Sequence, residues 1–222
     1  MFNKATDWGM FDLANPAQRI TQFKEVSRER FLQPDELKNF FQAVADEKNE
    51  TIRDYILISL LTGARRSNVL SMQWGEISFE RAEWRIPETK NGTSHTLPIT
   101  TQAMQILKQR KELKDSNFVF SGTGKSGHLV EPKKGWIRIK DRAGIKDLRL
   151  HDLRRSLGSW QAITGASLTI IGKTLAHMDV STTAIYARLN NDPVREAMET
   201  ATRAMMNAGK QGAEIIPIKK NG

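Results

Sequence analysis

Apolar residues recur in a helical period along most of this chain, but from Glu76 to Ile99 they recur at every second position. That switch constrains the fold more than any other feature, because a period of two buries one face of a strand and a period near 3.6 buries one stripe of a helix. Ala82–Pro87 and His95–Ile99 read as strands joined through Asn91-Gly92, a strong hairpin turn. Ile77–Phe79 reads as a third, short strand. The expected fold class is therefore mainly α with a small three-stranded antiparallel β-sheet.

The flanking segments carry helix signals. Pro34 stands where a first helical residue should, with Asp35 and Glu36 in the first turn, and Leu37, Phe40, Phe41 and Val44 follow at helical spacing. Residues 50–62 are apolar on most sides, so that helix should be central, and Tyr55 within it should be core. Thr62-Gly63 should end it, with Arg66–Met72 a short helix beyond. Thr101–Lys111, Lys133–Ala143, Asp152–Ile163, Ser167–Leu175, Ser181–Leu189 and Asp192–Ala208 complete the helical set, and Phe118–Phe120 reads as extended. The loop Gly122–Gly127 contains Gly124-Lys125-Ser126, the end of a phosphate-cradling motif. Its first glycine should fall at position 119, where Val119 stands, so a plain loop is expected.

Charge and cysteine content narrow the function. The 222 residues carry Lys+Arg 34 against Asp+Glu 25, a net charge of +9, and a basic surface attracts polyanions such as DNA. There are no cysteines, which excludes disulfides, thiol catalysis and thiolate metal sites and suits a cytoplasmic protein. The longest apolar run, Tyr55–Leu61, is too short to span a bilayer, and no signal peptide or membrane partner is expected. No His-Glu-x-x-His or paired-Asp pattern occurs, so neither a metal nor a nucleotide cofactor is expected.

Five short motifs carry the chemistry. They are Thr62-Gly63-Ala64-Arg65-Arg66, Thr89-Lys90-Asn91, His151-Asp152-Leu153-Arg154-Arg155, Leu175-Ala176-His177 and Thr183-Ala184-Ile185-Tyr186. Each alone is unremarkable: an Arg-Arg pair is more often a solvated face, and a lone tyrosine is more often packed. In this order and spacing the set resembles the tyrosine recombinase family of phage-type integrases, over about Arg28 to Leu189. The resemblance implies the catalytic-domain fold of that family and a site built from Arg65, Lys90, His151, Arg154, His177 and Tyr186.

The chemistry of each residue type suits the implied role. A guanidinium stays charged and its planar fork matches phosphate oxygens. Register alone does not separate Arg65 from Arg66, and the family pattern selects Arg65. His151 and Arg154, three apart at a helix start, share a face. His177 precedes Tyr186 by nine residues (186 − 177 = 9) and would bind a phosphate oxygen. Lys90 would protonate a leaving 5′ oxygen, which an ammonium does more readily than a guanidinium. Tyr186 would be the nucleophile.

Two positions depart from the family pattern. Asn68 stands where an acid is usual, three residues after Arg65, and Ala176 replaces a glycine, which is harmless only if its φ is negative.

The resemblance further implies transesterification on duplex DNA without a cofactor, by monomers that assemble as homotetramers on DNA, with possible accessory DNA-bending proteins. Arg66, Arg155 and the basic stretch Lys133, Lys134, Arg138, Lys140 and Arg142 are candidate DNA contacts. Residues 1–27 resemble the end and linker of a preceding DNA-clamping domain. Residues 28–209 form the catalytic domain, and 210–222 are a tail whose apolar Ile215–Ile218 could dock on a neighbour. A type IB topoisomerase and a non-catalytic DNA-binding module remain alternatives.

Overall fold

The computed structural model describes residues 1–16, 18, 20, 21, 23, 28–87, 94–113, 116–177, 179–189 and 191–211. Helix α1 (Phe2–Asp7) lies apart from the core, with Trp8, Met10 and Leu13 beyond it exposed. Helix α2 (Pro34–Ala45) starts as its sequence dictates: Pro34 is the first helical residue, and the Glu36 carboxylate accepts the Gln33 backbone N–H at 2.9 Å. Phe40 and Val44, one turn apart, are buried. Phe41, expected with them, is 44% exposed and lies edge-on to Phe40, because it falls one position off the buried line.

Helix α3 (Glu50–Thr62) is central. It is capped by the Asn49 side chain, which accepts the Ile52 N–H at 3.0 Å, and it is buried on most sides, Tyr55 included. Helices α5 (Thr101–Glu112) and α7 (Leu150–Ile163) pack on it, while α6 (Lys133–Ala143) packs chiefly on α2. Arg138 and Arg142 of α6 point into that contact. Arg138 donates to the buried Glu47 carboxylate at 2.6 Å and Arg142 donates to the Ala43 carbonyl at 2.6 Å. The Arg138 hydrogen bond outweighs burial and holds the Glu47 carboxyl below its ordinary pKa.

The sheet has the order β1 (Ile77–Ser78), β2 (Glu83–Ile86), β3 (His95–Pro98), all antiparallel, with Trp84 opposite Leu97 and Ile86 opposite His95. The strands are shorter than their sequence pattern. Ala82 has φ 51, which breaks the extended run before β2, and Pro87 has no N–H to offer a ladder. Lys90, Asn91 and Gly92 lie outside the described residues. Helix α4 (Arg66–Leu70) ends two residues short of expectation, and Met72 pairs instead with Val119 through its carbonyl.

The C-terminal part departs more. Helix α8 (Leu168–Leu175) is as expected, but the single helix read at Ser181–Leu189 is broken into α9 (Val180–Thr183) and a 3₁₀ segment Ala184–Leu189. Ser181, Thr182 and Thr183 are poor helix formers, and the change of winding leaves Thr183 and Tyr186, three apart, on one buried side. Helix α10 (Asn191–Gln211) follows, its Val194, Met198, Met205 and Met206 exposed. Ile215–Ile218 lies outside the described residues. Buried apolar side chains form a main core around α3 and the sheet, and a small separate cluster of Ala162, Ile171, Leu175 and Tyr186.

Candidate active site

The site is organised by one tight turn. Helix α3 ends at Gly63, which has φ 59, and a Cβ there would stand 2.8 Å from Leu157 and 2.9 Å from Leu175. Only glycine meets both demands. The reversal makes Arg65 the residue that precedes α4, with extended backbone, and its Nη2 donates to the Ala176 carbonyl at 3.2 Å. Arg66 turns outward to the Val130 carbonyl and Glu131.

Arg154 reaches the same turn from α7. Its Nη1 donates to the Gly63 carbonyl at 2.6 Å and its Nη2 to the Leu175 carbonyl. Helix α7 presents it because Asp152 caps the helix start, accepting the Arg149 N–H at 2.8 Å. Arg154 is 7% exposed. Burial, then the nearby Arg65 charge, pulls its pKa down to about 10, with Tyr186 opposing. The two guanidiniums therefore face each other's field, and among the described residues no carboxylate lines their shared cavity, which suits it to an anion by charge.

His151, Arg154 and Gly158 lie at successive turns of one face of α7. His151 is at the exposed rim. Its pKa is lowered by partial burial of the ring and by Arg154, Arg155 and Arg65, against Asp152. Gly158 seats the tyrosine: a Cβ there would lie 2.7 Å from the Tyr186 Cζ. The Tyr186 ring is thus about 6 Å along the axis from Arg154, one helical turn. Tyr186 is 3% exposed, and burial raises its phenol pKa while Arg154 and Arg155 lower it.

His177 completes the group. Helix α8 ends with Ala176 at φ 49 and ψ 49, and the His177 N–H closes back onto the Gly172 carbonyl at 2.9 Å. The Ala176 backbone therefore does require positive φ, so the replacement of glycine carries strain. The His177 Nδ1 sits 2.9 Å from the Thr183 Oγ1, which gives the threonine of the Thr-x-x-Tyr motif a physical task and leaves Nε2 unencumbered by that contact. Burial, then Arg154, Arg65 and His151, lowers the His177 pKa to about 4.

Other expected residues lie apart. Lys133 and Lys134 are exposed on α6, and Lys140 is partly buried. Arg155 turns from Arg154 toward a small cavity that it shares with Tyr186, Ser159 and Arg28. Its Nε lies 4.0 Å from Asp152 and its buried Nη1 has no hydrogen-bond partner.

Sequence reasoning missed two features. Arg28 grips Asp152 at 2.8 Å and Asp147 at 3.0 Å, while Glu29 pairs with Arg188, so this segment holds both α7 and the tyrosine segment. No sequence pattern marks that. His95 lines a narrow cavity with Arg65, Asn68 and Arg154. Its signal was present, since alternation puts His95 on the inward face with Leu97 and Ile99. Among the described residues no three His, Asp or Glu side chains gather as metal ligands.

This geometry agrees with comparison to known proteins. Residues 30–192 match the phage integrase family. The chain belongs to the phage integrase family. It is 29% identical over 151 residues to the prophage integrase IntF of Escherichia coli, covering 66% of this chain and 32% of that protein. It is 30% identical over 197 residues to the tyrosine recombinase XerA of Pyrococcus furiosus, covering 85% of this chain and 65% of XerA. The chain thus spans between a third and two thirds of these curated relatives. The catalytic domain of bacteriophage HP1 integrase shares the fold, with a TM-score of 0.60 at 19% identity over 78% of this chain and 95% of that one. So does the Tn1549 transposon integrase solved with transposon right end DNA, with a TM-score of 0.71 at 16% identity over 90% and 75%. The expected fold, a tyrosine recombinase catalytic domain with a small antiparallel sheet, is the observed one.

Proposed function

We propose that this chain is the catalytic part of a site-specific DNA recombinase, an integrase that breaks and rejoins strands through a 3′-phosphotyrosine. The observation that carries the reading is the convergence of Arg65 and Arg154 on the Gly63 turn, with His151 one turn before Arg154 on α7 and Tyr186 packed on Gly158, one turn after it. A phosphodiester between the arginines would have its nonbridging oxygens neutralised by Arg65 and Arg154, with the neutral His177 imidazole adding a hydrogen bond from Nε2. The Tyr186 segment would have to shift from its seat on Gly158 to bring the tyrosine oxygen onto phosphorus and within reach of His151, whose lowered pKa favours the unprotonated form that accepts the proton. The bond from phosphorus to the 5′ oxygen breaks, and Lys90 supplies the proton that makes the 5′-hydroxyl. A 5′-hydroxyl from a partner strand then attacks the phosphotyrosine, releases Tyr186 and reseals the backbone. No bond energy is lost, so no cofactor is consumed.

Ile86 and His95, which face each other where the strands end, line the arginine cavity. That supports Lys90, between them in sequence, as the acid. Duplex DNA would lie over the exposed Arg66, Lys133 and Lys134, with Lys140 and Arg155 as further contacts. Arg138, held by Glu47, contributes less. Residues 1–27 would come from a preceding DNA-clamping domain and its linker, residues 28–209 would be the catalytic domain, and 210–222 would dock on a neighbour in a DNA-bound homotetramer of otherwise monomeric chains. Action would be at the nucleoid, in the cytoplasm, with DNA-bending proteins assisting. Deleting the residues after Gly209 should weaken assembly on DNA and leave the fold intact.

A nicked duplex carrying the attachment site beside the gene tests the reaction. Wild type should form a protein–DNA adduct stable on a denaturing gel, and Tyr186→Phe should form none while still binding. An adduct that survives Tyr186→Phe would overturn the assignment.

A further inference from the structure

His95 is, with Asn68 and Thr174, one of the polar side chains lining the arginine cavity that the proposed reaction does not use. Its Nε2 is buried and makes no hydrogen bond of ordinary geometry among the described residues. Arg65 lines that cavity, held among the described residues by the 3.2 Å bond to the Ala176 carbonyl, and Arg154, already bonded to two carbonyls, lines it too. Both are pure donors, and the side-chain acceptors that line the cavity with them are neutral: His95, Asn68 and Thr174. Asn68, the neutral amide that stands where the family resemblance leads one to expect an acid, lines the same cavity. Leaving a buried polar atom without a partner is costly, and such a cost is tolerable where a later step satisfies it.

We propose that His95 is a positioning residue of the phosphate site, its Nε2 accepting a hydrogen bond from the Arg65 guanidinium when that arginine takes up a phosphate. One N–H edge of Arg65 would face the phosphate oxygens and another would face His95. The imidazole and Asn68 would together replace the missing carboxylate with two neutral acceptors. The groups around the ring favour this form. Burial, Arg154 from α7 and Arg65 from the turn after α3 hold its pKa below the ordinary value, against a weak hydrogen bond from the ring to the Thr174 backbone of α8. This inference rests on the recombinase reading for its consequence, but its geometry can be tested without DNA.

Nitrogen-15 NMR on the chain, with sodium sulfate as the phosphate probe, reads the bond directly. The His95 Nε2 should be unprotonated at pH 7.5. Sulfate should move its resonance toward the hydrogen-bonded value in wild type but not in Arg65→Gln. A protonated Nε2, or the same movement in both proteins, would overturn the proposal.

Adduct formation on the nicked duplex supplies the second readout. His95→Gln, which keeps a neutral acceptor, should cut within about threefold of wild type. His95→Leu should cut at least tenfold more slowly at unchanged DNA affinity, the scale expected of a misaligned catalytic group. If His95→Leu cuts as fast as wild type, or His95→Gln is as slow as His95→Leu, the role is not positional. If wild type itself forms no adduct, the recombinase reading fails and the NMR result still decides the contact.

Discussion

Arg65 and Tyr186 belong to parts of the molecule built on different scales. The arginine leaves the end of α3, the helix around which the main core is packed. The tyrosine belongs to a cluster of four buried side chains, shared with Ala162, Ile171 and Leu175. Regions that bury few apolar side chains open at lower free energy than the core. The proposed phosphate-binding Arg65 therefore stands on the rigid part, and the proposed nucleophile is carried by the part that is cheaper to displace. Two sets of contacts join them. Arg154 bonds the Gly63 turn to the end of α8, and Arg28 with Glu29 ties α7 and the tyrosine segment to one strand of chain.

The largest break should come from Arg154→Ala. It removes the donor from two buried carbonyls, and even with relief of the buried charge the loss should be about 2 kcal/mol of stability by urea unfolding. Adduct formation should fall by at least ~100-fold, the scale of losing one preorganised donor. Gly158→Ala separates the two regions more cleanly. Its Cβ would intrude on Tyr186 and Leu175, each closer than 3 Å in the present packing. Overpacking of this kind costs about 1–3 kcal/mol. Hydrogen exchange should quicken in Ala184–Leu189 and α8 while α3 keeps its protection; equal loss in α3 would show one cooperative core.

A smaller effect is expected from pH. The folded pKa of His177 is about 4, below the unfolded value of about 6.5, so the native state binds fewer protons in that window. Stability from this group is full above the unfolded value and is lost as pH falls toward 4. With water screening the half-exposed ring, the loss should be roughly 1 kcal/mol. His177→Gln should flatten the fall in urea midpoint between pH 7.5 and pH 5, though His95 and His151, with the same direction of shift, keep some slope. The smallest effect sharpens the picture from the other side. Ala176→Gly should relieve the positive φ and raise stability by about 0.5–1 kcal/mol, read in the melting temperature, with no gain in α3 protection.

These two regions also differed in how much the sequence disclosed. The main core was legible because its signals are local. Pro34 and Glu36 announce α2, the apolar run 50–62 announces a central helix, and alternation after Glu76 announces the sheet. The site was legible as a resemblance, since the spacing of motifs survives where their contacts cannot be read. What stayed hidden was the break at Ala184, which trades helical regularity for burial of Tyr186 against Gly158, a contact between residues 28 apart in sequence (186 − 158 = 28). The Arg28–Asp152 grip, 124 residues apart, was hidden for the same reason. Ala176 was seen as a departure, but the sign of its φ depends on how α8 ends. The inward face of His95 could have been read from Leu97 and Ile99, but its cavity could not.

Mapping the DNA-linked residue tests the central claim most directly. The adduct from the nicked duplex would be digested with protease and nuclease, and the peptide that retains a nucleotide sequenced by mass spectrometry. The account predicts a 3′-phosphate on Tyr186, in the peptide that contains Ala184-Ile185-Tyr186. A linkage at Tyr55, the other tyrosine, or at any non-tyrosine residue, or through a 5′-phosphate, would contradict it.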